Sequence, residues 1–318
     1  MISATAPGKI ILLGEHAVVY GQPALAIPIK QLYATIQIET EDVTGNPPND
    51  WRDLITISAV DIGRFGTLSQ YTAETDPITL VIAKVLETLN VSNPPKCRIS
   101  IESTIPVASG MGSGAAVSVA LARAMAKAMD KELSDKEISE IAFEAEKLHH
   151  GTPSGIDNTV ITYEKPVFYI KDQPIHIFKV KTPFTLIIAD TGIRSSTKET
   201  VGDVRKLWLG NPFKYQLIFS QIGEIVEKGR QAIQDGKIGT LGEMMNQDQQ
   251  LLRELSVSSE VLDGLIVAAL EKGAYGAKLS GGGRGGNMIT LVREDDADRI
   301  ESVLLDAGAK RTYKTLVS

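Results

Sequence analysis

Cysteine is almost missing from this chain: 318 residues carry one, Cys97. A disulfide within the chain is excluded. A lone thiol beside the alternating stretch 98–102 reads as a buried strand-edge residue rather than a nucleophile or metal ligand. Long apolar runs are missing too. The longest, such as 184–189, fall far short of the roughly 20 residues that a membrane span requires, so no membrane partner is expected. The start of the chain lacks a basic segment, an apolar segment and a cleavage site in series, so no secretory leader is read and a cytoplasmic location is expected. An excess of positive charge is also lacking. With net charge −6 and pI near 5.4, a nucleic-acid partner is not expected, because binding a phosphate backbone calls for a basic patch. Anionic ligands must then be held by local devices. No internal repeat and no low-complexity tract interrupts the sequence.

What is present is enough apolar residue for a sizeable core, 43% of a chain long enough for two ordinary domains. Strands are expected at 10–13 and 32–39, where apolar and polar residues alternate as on a sheet with one buried face. The segment 44–50, with two prolines and three turn formers, predicts an exposed loop. A helix over 77–89, a strand at 98–103 and a helix over 115–129 follow, the last entered through a glycine-rich turn. Ser134 and Glu137 form a capping box, and Ile138, Ile141, Ala142, Ala145 and Leu148 give the next helix an apolar stripe ended by Gly151. A polar, proline-containing joint at 179–183 places the domain boundary, giving domains 1–182 and 183–318. The second half reads as helices at 214–235, 241–255 and 258–272, strands at 274–279 and 287–292, a helix at 295–306 and a strand at 311–316.

Three segments carry the chemistry. In Ala6-Pro-Gly-Lys-Ile-Ile-Leu-Leu-Gly-Glu-His16, Lys9 is expected before a short apolar strand and Gly14, Glu15 and His16 beyond it, at a rim where polar groups commonly face a ligand. Solvated strand ends explain the same pattern. In Ile105-Pro-Val-Ala-Ser-Gly-Met-Gly-Ser-Gly-Ala-Ala116, a glycine-rich turn runs into a helix whose unpaired N–H groups and partial positive charge suit a phosphate. No Gly-Lys-Ser/Thr closes it, so it is not a Walker A loop. Tight helix packing is the competing explanation. In the third segment Glu146 lies on the flank of the apolar stripe, where a carboxylate is costly unless it meets a cation, and Asp157 returns after a turn as a second acid near the same helix end. As isolated acids the two also read as a surface salt-bridge partner and a cap. His149 and His150 lack the spacing of a metal pair.

In this order, and with the late run Lys278-Leu-Ser-Gly-Gly-Gly-Arg-Gly-Gly-Asn287, whose five glycines in six positions packing alone hardly explains, the segments resemble the GHMP kinase family, named for galactokinase, homoserine, mevalonate and phosphomevalonate kinases. The resemblance spans nearly the whole chain. It is greatest to the mevalonate kinase branch, through APGKIILLGEHAVVYG and AFEAEKLHHGTPSGID. It implies a two-lobed α+β fold: an N-terminal α/β domain, a C-terminal ferredoxin-like α+β domain, and an active site in the cleft between them. It implies ATP as co-substrate, Mg2+ as metal, mevalonate as acceptor, and allows a homodimer.

By resemblance Asp157 and Lys9 are the catalytic pair, and Glu146 with Ser113 holds the metal. Glu15, His16, Tyr20, Ser154 and Arg194 line the acceptor side. Pro106, Ser109, Gly110, Met111, Gly112, Ser113, Gly114 and Ala115, with Gly282 and Gly283, contact ATP. Two departures stand out. The branch usually shows GLGSSAA, so a metal-binding serine is here Gly114; either Ser113 takes over, a water fills the place, or Glu146 binds the metal chiefly alone. Arg284 interrupts the last glycine run and either faces an anion or is a solvated arginine. Phosphomevalonate kinase, with Arg194 and Lys198 for the second phosphate, and a non-catalytic ligand sensor are the other readings.

Overall fold

The computed structural model describes all residues except 42–47, 107–108, 151–152 and 175, and the side chains of Asp61, His149 and His150. Most of the predicted 44–50 loop, the helix stop at Gly151 and the two histidine side chains thus lie outside the described residues. The chain packs as two compact units that are discontinuous in sequence. One comprises residues 1–8, 29–107 and 112–164; the other comprises 9–28, 108–111 and 165–318. These are not the contiguous blocks 1–182 and 183–318. The strands β1 (Ile2–Leu13) and β2 (Ala24–Glu41) are each long enough to contribute to both units.

In the first unit, β5 (Lys96–Ser103) is an interior strand. It pairs antiparallel with β2, from Ala34 opposite Ser103 to Glu41 opposite Lys96, and parallel with β3 (Ile55–Ala59). On its other edge β3 takes β4 (Arg64–Thr67), antiparallel. Cys97 is buried in β5, and burial pushes its thiol up to about 12, which fits an inert core residue. The helices α1 (Pro77–Thr88), α2 (Ser113–Ala128), α3 (Asp135–His150) and α4 (Ile156–Tyr163) pack on one another. Alanine-rich α2 is buried almost all round, from Ala115 to Ala126, as suits a helix enclosed by others. The capping box is formed: the Glu137 carboxylate accepts the Ser134 N–H at 2.8 Å, and Ser134 Oγ accepts the Glu137 N–H at 3.3 Å. Short α4 gave little periodicity to read. It is tied to α3 by Asn158, whose amide donates to the Ser139 carbonyl at 3.1 Å and to its Oγ at 2.8 Å.

In the second unit, β6 (Val167–Tyr169) pairs with Ala24–Ala26 of β2, and β7 (His176–Ile177) pairs with β6. Beyond these, β8 (Phe184–Asp190), β9 (Gly276–Ser280), β10 (Asn287–Val292) and β11 (Arg311–Val317) form an antiparallel sheet in the order β11-β8-β10-β9. Helices α5 (Thr197–Gly210), α6 (Pro212–Asp235), α7 (Ile238–Glu254) and α8 (Glu260–Glu271) intervene before β9, and α9 (Ala297–Asp306) precedes β11. Strand, helices, two strands, helix, strand, with the last strand beside the first, is the ferredoxin-like pattern expected for the C-terminal part. Helix α5 has only Thr200 and Val204 buried, too narrow a stripe to announce itself in the sequence. No helix among the described residues is long and apolar enough to cross a membrane.

Candidate active site

Lys9 is inside β1 rather than before it, 4% exposed, and its N–H donates to the Met111 carbonyl at 3.0 Å. After β1 the chain doubles back at Gly14. Its φ is +100°, and a Cβ there would meet the Pro23 carbonyl oxygen at 2.6 Å, so glycine is required. Glu15 and His16 follow, both buried, His16 with φ of +60° that side chains other than glycine adopt only at a cost.

The Glu15 carboxylate, through Oε1, is ion-paired to the Lys278 ammonium of β9. Lys278 Nζ also donates to the Leu279 carbonyl at 2.6 Å and lies 3.5 Å from Asp248 Oδ2 of α7. Burial raises the Glu15 carboxyl to about 7, against the attraction of Lys278 and with added repulsion from Asp248; Asp248 is raised by burial in the same way. Oε2 of Glu15 and Oδ1 of Asp248 are buried without a hydrogen-bond partner.

Burial lowers the His16 imidazole to about 4, outweighing its bond to the Gly282 carbonyl, so the ring is neutral at pH 7. Its Nε2 is 3.1 Å from that carbonyl oxygen, which can only accept. The hydrogen therefore sits on Nε2, leaving Nδ1 as an acceptor that is buried and has no partner. Tyr20 is half-buried, stacked on Phe219 at 4.1 Å and tilted against Trp208 at 5.5 Å, an aromatic cluster that accounts for it by packing.

The late glycine run is stitched into the second unit. Gly282 O faces His16, Gly283 O accepts from Ser195 Oγ at 2.6 Å, Gly286 O accepts from the N–H and Oγ of Thr191 at 2.9 Å each, and Asn287 Nδ2 donates to the Ser109 carbonyl. A Cβ on Gly283 would lie deep inside the Val257 carbonyl oxygen, at φ +79°. Packing thus explains the run better than the sequence suggested. Arg284 is partly exposed and has partners within the chain. It pairs with Asp203 of α5 at 2.7 Å and donates to the Ser256 carbonyl at 3.2 Å. Arg194 and Lys198 are exposed.

In the first unit, α2 follows Gly112 as its N-cap, with no side chain capping it and no acid in its first turn, a helix start of the kind that suits an anion. Pro106 and Ser113 are half-buried, Gly114 is exposed and Ala115 is buried. The loop residues Ser109 and Gly110, before buried Met111, belong to the other unit. Glu146 is 9% exposed, so it is no surface acid. Asp157 is half-buried in the first turn of α4, where Gly155, not Asp157, is the N-cap; Ser154 Oγ accepts the Ile156 N–H at 3.4 Å. The bond from neighbouring Asn158 to Ser139 starts α4 alongside the N-terminal half of α3, roughly 10 Å along its axis from Glu146, rather than at its far end.

No group of three or more His, Cys, Asp or Glu suited to a metal occurs among the described residues. Glu146, a buried carboxylate, offers the hard oxygen ligand that suits magnesium. A Cβ on Gly114 would meet nothing within 4 Å. Gly114→Ser is therefore expected to leave the melting temperature within about 2 °C of wild type in a thermal scan, while supplying a second hydroxyl beside Ser113.

The chain is similar to proteins of known kind along nearly its whole length. Residues 78–165 match the GHMP kinases N terminal domain, and residues 230–310 match the GHMP kinases C terminal domain. The mevalonate kinase of Pyrococcus abyssi is 36% identical over 309 residues, 92% of this chain and 89% of that protein. The mevalonate kinase of Thermococcus sibiricus is 34% identical, covering 96% and 94%. The crystal structure of L. major mevalonate kinase in complex with R-mevalonate superposes with a TM-score of 0.82 at 29% identity, covering 99% of this chain and 95% of that one. With an uncapped glycine turn leading into α2, a ferredoxin-like C-terminal sheet, and relatives matched end to end, the chain belongs to the GHMP kinase family.

Proposed function

We propose that the chain transfers the γ-phosphoryl group of Mg-ATP to the 5-hydroxyl of mevalonate, giving 5-phosphomevalonate and ADP. Relatives named mevalonate kinase at up to 36% identity support the choice of acceptor. The observation that carries it is the pair of orphaned acceptors, Glu15 Oε2 and His16 Nδ1, both buried and without partners on adjacent residues. Buried polar atoms are costly when unpaired, and hydroxyl groups of a small polyol acid satisfy acceptors of this kind.

Phosphoryl transfer asks for positioning and charge neutralisation more than for covalent catalysis. The N–H groups opening α2 receive phosphate oxygens, and Glu146 with Ser113 would hold magnesium, which when bound neutralises charge on the phosphates. Asp157 orients the acceptor hydroxyl and takes its proton as the bond to phosphorus forms. Lys9 offsets the negative charge of transfer. His16, neutral throughout the physiological range, accepts from a substrate hydroxyl and keeps its own hydrogen on Gly282 O.

The test is ADP release with Mg-ATP and, in parallel, mevalonate, phosphomevalonate, galactose and homoserine. Release with mevalonate alone is the expected result. Release with phosphomevalonate alone would retain the family and reject the acceptor; ATP binding with no release in any arm would leave a ligand sensor. In that arm Gly114→Ser is decisive, since it restores turnover only if a weakened metal site was the cause.

A further inference from the structure

Three ionisable side chains from separate elements meet in the core of the second unit: Glu15 after β1, Asp248 on α7 and Lys278 on β9, each no more than 1% exposed. Breaking such a cluster is expensive, but an apolar cluster of the same volume would stabilise the fold as well or better, so stability does not explain why it is ionic. Its geometry suggests another role. Lys278 engages one oxygen of Glu15, Oε1, while Oε2 is buried without a donor, and the Glu15 and Asp248 carboxyls are within hydrogen-bond reach of each other. Asp248 shares the ammonium at 3.5 Å, and its Oδ2 also faces the N–H of Gly14 at 3.5 Å, so it braces the turn that carries Glu15.

We propose that Lys278 and Asp248 are positioning residues for Glu15: the ammonium fixes Oε1 so that Oε2 is presented to the acceptor, and Asp248 competes with Glu15 for that ammonium and so sets its charge. This rests on the reading of Glu15 as an acceptor-side group. Two carboxylates share one ammonium where water cannot screen them, so near neutrality one carboxyl retains a proton. The charged or titratable groups around Glu15 and its neighbour His16 are Lys278 from β9, Asp248 from α7 and Arg284 from the glycine run. With its carboxyl moved from the ordinary 4.5 to about 7, Glu15 gives a contribution to stability that is full below the ordinary value and declines as pH rises toward 7. Asp248→Asn, which removes the competitor, flattens that decline and ionises Glu15 earlier.

The experiment follows the Glu15 carboxyl by 13C NMR in the full chain labelled at glutamate, with Glu15→Gln assigning the signal, and measures KM for mevalonate and for ATP between about pH 5.5 and 8.5. In Asp248→Asn the Glu15 midpoint is expected to fall by about one pH unit or more, with the pH dependence of the mevalonate KM moving with it. Lys278→Met is expected to raise the mevalonate KM about tenfold or more at pH 7.5 and leave the ATP KM within about threefold. A midpoint that stays within about 0.3 units in Asp248→Asn overturns the proposal, as does a Lys278→Met effect falling on ATP instead of mevalonate. Should Lys278→Met fail to fold, the Asp248→Asn midpoint decides. Absence of turnover in the wild type counts against the proposed function alone, because the carboxyl midpoint is read without activity.

Discussion

Asp157→Ala is expected to lower kcat with mevalonate by about 10²–10⁴, the range general acid–base groups supply, while ATP still binds with unchanged affinity. Asp157 lies half-buried in the first turn of α4, and Gly155 rather than Asp157 is the N-cap residue. The change removes the polar contacts of Asp157 and the attraction between its carboxylate and the positive end of the helix, the latter about 0.3–1 kcal/mol, while alanine has the higher helix propensity. A thermal scan run alongside kcat separates a loss of chemistry from a loss of folding. Asp157→Asn then separates its two roles. An amide can still orient the hydroxyl but cannot take its proton, so an asparagine variant within about tenfold of wild type marks an orienting residue, and one as inactive as alanine marks a base. A fall of less than about tenfold in the alanine variant would remove Asp157 from the chemistry.

The largest loss of stability is expected from Gly283→Ala. Its φ of +79° already costs a side chain about 1–3 kcal/mol, and the new methyl would occupy the place of the Val257 carbonyl oxygen, a backbone atom with little room to yield. Displacing it also strains the bond from the Arg284 N–H to Val257 O, now 2.7 Å. Together about 3–5 kcal/mol should be lost in urea unfolding, near the limit of what single changes do. Since the neighbouring Gly282 carbonyl holds the His16 ring, the mevalonate KM should rise as well. Gly264→Ala is the control: exposed on α8, with nothing within 4 Å of its added Cβ, it should be neutral or stabilise by up to about 1 kcal/mol.

Part of the local anomaly at the candidate site is legible along the chain. Glu146 was singled out because a carboxylate beside an apolar stripe is a local anomaly, and it is buried. The same signal marked a residue that went unread. Leu241, Met245 and Leu252 form the buried stripe of α7, and Asp248 interrupts it. Lys278, at the head of the glycine run, gave no such signal, because a lysine at the edge of a glycine-rich segment looks solvated until β9 is seen to be buried throughout. Helix α4 and helix α5 escaped for opposite reasons, one too short for a period and the other too little buried to show a stripe.

The sequence by itself determined the period of most of the long helices and of parts of the long strands, the capping box at Ser134, the glycine turn that opens α2, and the kinship carried by its ordered motifs. These are local properties, set by propensity and by alternation along a few turns, and they do not depend on what packs against them. Only the tertiary structure decided which glycines are obligatory, where Arg284 finds its partner, and how Glu15, Asp248 and Lys278 come to share one ammonium. Those outcomes depend on residues of separate segments, some as far apart as Glu15 and Lys278, coming together, and burial, which sets the cost of a charge and the space for a methyl group, is not a property of any segment alone.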